Sequence, residues 1–124
     1  MQFTIATIVS LLAAVSMAAP ADRTTVQLTN DQTGRNAAAV IPLDGIPRQI
    51  TALYGGSAVD NAGLITATSA QLIQIVQGAA CVFAGPGGAA FATLNDRKTF
   101  VDVDGNPANA IPVVLNDATL QCEL

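Results

Sequence analysis

A chain of 124 residues with 11% charged positions, a formal net charge of −4 and no histidine is bounded before any motif is sought. The length allows one domain with a real core. The five basic residues (Arg23, Arg35, Arg48, Arg97, Lys98) are scattered apart from one adjacent pair, which argues against nucleic acid or an anionic membrane surface as partner.

Taken in chain order, residues 1–18 read as a secretory signal peptide. The apolar run 3–17 carries no charge and is too short to span a membrane, and Ser16 and Ala18 supply the small residues that signal peptidase needs. Cleavage after Ala18 leaves residues 19–124, and cleavage one residue later nearly the same span, as a single β-rich secreted domain with an extracellular location. No second apolar segment reaches the length of a spanning helix, and residues 120–124 make no hydrophobic tail for a lipid anchor, so no membrane association is expected after cleavage. No Asn-x-Ser/Thr sequon occurs.

From residue 24 onward, short apolar segments are cut by Gly, Pro, Asn and Asp. Residues 24–29 alternate, with Val26 and Leu28 on one face; residues 30–36 read as a turn and residues 37–41 as the returning strand. Residues 49–54 alternate again, which predicts a strand with Ile50, Ala52 and Tyr54 together. Further strands are expected at 64–67, 80–84, 89–94, 99–103, 110–115 and 119–122. Asp104-Gly105 and Gly85-Pro86-Gly87-Gly88 are the strong turn signals, with Gly105 expected at positive φ. Leu-Asn-Asp occurs twice, at 94–96 and 115–117, as shared turn chemistry in which Asn and Asp bond their own backbone.

Residues 68–78 are ambiguous. A Ser/Thr cap and Gly78 suit a short helix, whereas the β-branched residues and the turn glycine tilt the reading toward strand. The fold expected is all-β: a small β-sandwich or barrel-like domain, with at most one short helix, near 69–77.

Cys81 and Cys122 are the only cysteines, so one intramolecular bridge exists to be made, and an oxidising compartment favours it. It would staple a middle strand to the last one. The loop of roughly forty residues constrains the unfolded chain by about 4 kcal/mol. Two cysteines without histidine cannot close a four-ligand zinc site.

The missing histidine removes the commonest general base and rules out Ser-His-Asp and Cys-His arrangements. Carboxylates remain: Asp22, Asp31, Asp44, Asp60, Asp96, Asp102, Asp104 and Asp117 are the candidates for a hydrolytic pair, and Asp102 and Asp104 would point the same way on a strand. With one tyrosine and no tryptophan, the chain has little to grip a sugar ring. Residues 102–106 fall short of a calcium loop, because the glycine follows the second acid and Ile111 stands where a glutamate is needed. Tyr54 reads as a half-buried strand residue rather than an exposed contact, and Arg97-Lys98 as a solvated strand end. No catalytic, cofactor-binding or metal residue stands out.

The leader with Ala19-Pro20 at its exit, residues 65–72 leading to Cys81, then 91–94, 99–105 and the closing Leu120-Gln121-Cys122 resemble ascomycete small secreted proteins, a family of candidate effectors with a single cysteine pair. The resemblance covers most of the mature chain and rests on turns and a disulfide. It implies a fungal, non-enzymatic protein that binds a host or environmental macromolecule outside the cell, as effector or elicitor. The alternatives are a cell-wall or surface-coat component and a carboxylate-dependent hydrolase. An extracellular protein partner or self-association is expected, through loops or a strand edge, with no cofactor and no nucleic acid.

Overall fold

The computed structural model describes residues 23–105 and 108–124, so the leader, Asp22 and part of the loop after Gly105 lie outside the described residues. Eleven strands and one helical turn follow in order: β1 (Arg23–Asn30), β2 (Arg35–Pro42), β3 (Arg48–Gln49), α1 (Ile50–Tyr54), β4 (Asp60–Asn61), β5 (Leu64–Ala67), β6 (Ser69–Gln74), β7 (Ala80–Ala84), β8 (Ala90–Asn95), β9 (Phe100–Asp102), β10 (Val113–Val114) and β11 (Thr119–Glu123). All pairings are antiparallel.

Two four-stranded sheets, ordered β2-β1-β6-β9 and β3-β11-β7-β8, enclose the core, and a smaller sheet, β10-β5-β4, borders them. Alternation is the cause. Thr24, Val26, Leu28 and Asn30 of β1 point inward, as do Leu72 of β6, Cys81 and Phe83 of β7, Ala92 and Leu94 of β8, and Leu120 and Cys122 of β11. The apolar ones among these form one cluster with Ile41, Ile65 and Tyr54.

The sheets meet along both sides. The chain turns from β8 into β9 through Asn95 and Lys98, whose backbones bond reciprocally, and Leu72 N–H then bonds the carbonyl of Thr99. On the other side, β2 runs on to Asp44, which bridges to Glu123 of β11, and Gly45 N–H donates to Cys122 O at 2.8 Å. Gly45 turns this corner at φ 75°, where an L side chain would be strained. The result is a flattened, barrel-like sandwich.

Cys81 and Cys122 are direct partners across β7 and β11 and form the disulfide, with both residues buried. The expected bridge is present.

Residues 69–74 are strand β6, which settles the ambiguous segment: Ala70 and Leu72 face the core while Gln71 and Ile73 face outward. Among the described residues, the one helical element lies elsewhere, at Ile50–Tyr54, where the sequence suggested a strand. Ile50 and Tyr54 are four apart, a spacing common to both periodicities. Ala52 decides between them, since it is exposed where a strand would have buried it. The strand expected over 110–115 shrinks to Val113–Val114, because Pro112 has no N–H to offer a ladder.

Candidate functional site

The acidic side chains, the sequence candidates for chemistry, are largely occupied in holding loops. Thr68 Oγ1 donates to Asp31 Oδ2 at 2.7 Å and accepts from the Asp31 N–H at 3.1 Å, fixing the joint between β5 and β6 to the β1–β2 turn. Asp60 accepts from the N–H groups of Gly56 and Gly63, Asp96 from Gly78 N–H, and Asp104 from Ile111 N–H. Asp44 takes a two-pronged bond from Arg48, 2.9 Å and 2.7 Å, and also accepts from Ile46 N–H. The Arg48 guanidinium holds the Asp44 carboxyl down at about 2.

Asp102 and Asp104 do not form an alternating strand pair, as the sequence allowed. Asp102 ends β9, while Asp104 lies in the following turn, with Gly105 at φ 68° as expected. Among the described residues, no group of three Cys, Asp or Glu side chains is placed to hold a metal ion.

Tyr54 is neither half-buried on a strand nor an exposed contact. It is buried at the end of α1, its hydroxyl donates to Val26 O at 2.8 Å, and burial pushes the phenol above its ordinary range. Arg97 and Lys98 are exposed in the β8–β9 turn, where Asn95 Oδ1 accepts from both of their N–H groups at 2.8 Å.

Two recesses stand out among the described residues. One is an apolar groove of about 300 Å³ between the 85–88 loop and β10, walled by Pro86, Phe91, Val113, Val114 and Ala118. Phe91 packs beside the buried Phe83, with ring centroids 6.1 Å apart. Asp117 stands at the rim and forms no ion pair with the described residues. Phe91 and Val114 remain 43% and 53% exposed, an apolar surface held open by the scaffold.

The second recess, of about 120 Å³, opens between the β1–β2 turn and the β4–β5 hairpin. Its polar wall is Asn30, Thr33, Arg35, Asn61 and Thr66, and its apolar floor is Ala58 and Val59. Both recesses border the smallest sheet, since Thr66 in the second pairs with Val114 in the first. Neither was visible in the sequence: their walls come from segments up to 36 residues apart, joined only by the fold.

No protein-family model, curated protein or solved structure matches this chain. Among the described residues, no helix is long and apolar enough to cross a membrane.

Proposed function

We propose that the chain is a secreted, non-enzymatic fungal protein that acts outside the cell by binding a protein partner, as an effector or elicitor. The observation that carries this reading is the groove walled by Pro86, Phe91, Val113 and Val114, with Asp117 at its rim. An apolar recess beside a carboxylate that forms no ion pair with the described residues suits a partner that inserts an apolar side chain flanked by lysine or arginine. The disulfide-stapled β scaffold and the signal-like leader support export, and the use of five aspartates as loop clamps weighs against a carboxylate-dependent hydrolase.

The test combines fractionation with capture. The protein should appear in the culture medium rather than with washed walls, and the mature protein should retain a specific partner from host extracellular fluid. Val114→Asp should abolish that capture, while Ile73→Asp, on the outward face of β6, should leave it intact. Retention on washed walls would favour the coat-component reading, to which exposed Val40, Ile46, Ile73 and Ile75 lend some support.

A further inference from the structure

We infer that the recess between the β1–β2 turn and the β4–β5 hairpin is a receptor for a single carboxylate group, carried by a side chain or chain terminus of a protein partner. Arg35 opens β2 directly opposite Asn30, and alternation puts it on the same face as Ala37, Ala39 and Ile41, the face turned toward the core. At the end of the sandwich that face overlooks the recess. Unlike Arg48, which spends its fork on Asp44, Arg35 makes no ion pair with the described residues.

The groups around Arg35 are set as donors. Asn30 is 6% exposed and locked: its Oδ1 accepts from Gln32 N–H at 3.0 Å, and its Nδ2 donates to Thr66 Oγ1 at 3.1 Å. That orientation leaves one amide hydrogen of Asn30 and the hydroxyl proton of Thr66 for a ligand. No carboxylate lines the recess. The nearest acids along the chain, Asp31 and Asp60, are committed to Thr68 and to the Gly56 and Gly63 N–H groups. A concave site with a planar guanidinium, an amide N–H, a hydroxyl and no carboxylate in its lining matches the two oxygens of a carboxylate.

Size and lining choose the ligand further. About 120 Å³ with an Ala58–Val59 floor admits a carboxylate and its adjoining methylene groups, and no aromatic ring is present to stack on a sugar. A single cation suits a monoanion better than a phosphate dianion. The carboxylate chemistry stands on the recess alone; its assignment to a protein rests on the function proposed above.

The test is an amide-shift titration of the disulfide-bonded protein at constant ionic strength. N-acetylglutamate amide is compared with its uncharged glutamine counterpart, with D-galacturonate and with inorganic phosphate. The glutamate probe should give saturable shifts at Asn30, Gly34, Arg35, Asn61 and Thr66, and the glutamine probe should bind about tenfold more weakly or worse. Arg35→Gln should weaken the glutamate probe by about tenfold or more, with Arg35→Lys between, while Arg97→Gln should change nothing. Absence of saturable shifts at these amides, or equal affinity in Arg35→Gln with the remaining spectrum preserved, would overturn the site. Tighter binding of galacturonate or phosphate would overturn the ligand assignment. Partner capture that persists in Val114→Asp would sink the groove reading while leaving the glutamate shifts in place.

Discussion

The Tyr54 hydroxyl donates to the backbone carbonyl of Val26 at 2.8 Å, joining the helical turn α1 to the middle of β1. Because the phenol is buried, both its ring and its proton matter to the fold. Tyr54→Phe keeps the packing and loses the hydrogen bond, and should cost about 1–2 kcal/mol in urea unfolding. The phenol has a folded-state pKa raised above its ordinary 10.0 by burial. Its contribution is therefore whole below about pH 10 and is lost as pH climbs beyond that value. As this is the only tyrosine, its ultraviolet ionisation should coincide with alkaline unfolding, and Tyr54→Phe should remove that share of the alkaline loss.

Severing the Cys81–Cys122 bridge releases a loop of 41 residues in the unfolded chain. Cys81→Ala with Cys122→Ala should lower stability by about 2–5 kcal/mol, read as a fall in the urea midpoint. Because both cysteines are buried, reduction of the native protein should follow the unfolding rate and stay slow under native conditions. Rapid reduction of the folded protein would contradict the burial.

Asp44 and Arg48 clamp the corner where β2 hands the chain to β3. The Asp44 carboxyl is held at about 2, below its ordinary 3.8, first by the hydrogen bond from Arg48. A depressed carboxylate stabilises the fold fully above the ordinary value, and that contribution disappears as pH falls through 2. Asp44→Asn should flatten the pH dependence of the urea midpoint across this window. The effect should be small and shrink in salt, because both groups are open to solvent.

The two Leu-Asn-Asp segments do different work. Asn95 bonds its own neighbours at Arg97 and Lys98, the local turn chemistry that the sequence suggested. Asn116 instead reaches across about half the chain: its Oδ1 accepts from Ile65 N–H at 2.9 Å and its Nδ2 donates to Gly63 O at 2.7 Å. Asn116→Ala should cost about 1–3 kcal/mol, since buried Ile65 loses an acceptor, while Asn95→Ala should cost under about 1 kcal/mol because water can replace it. Paired urea titrations distinguish them.

That contrast marks how far the sequence could be read. Alternation at Val26 and Leu28, and the turn residues at Gly85 to Gly88 and Gly105, carried the β architecture because each acts within a few residues of itself. Ile50 and Tyr54 misled because a four-residue interval fits a strand and a helical turn alike. Asp31, Asp60 and Asp96 looked free for chemistry only because their backbone partners cannot be seen without the fold. The two recesses were invisible for the same reason: Arg35 and Thr66, or Phe91 and Val114, acquire meaning only once β5 has been laid beside β10 and the β1–β2 turn.

The place of β11 inside the sheet β3-β11-β7-β8 has a consequence for biosynthesis. Ribosomes deliver Arg48 and Cys81 long before Thr119–Glu123, yet β3 and β7 can gain their shared neighbour only when that segment emerges. Until then Cys81 is a lone thiol on a half-built wall, and the core lacks the buried Leu120 and Cys122. Assembly of this sheet must therefore wait for residues 119–123 to emerge. A chain stalled before Thr119 should be a substrate for chaperones and mixed disulfides, however much of the molecule it already contains.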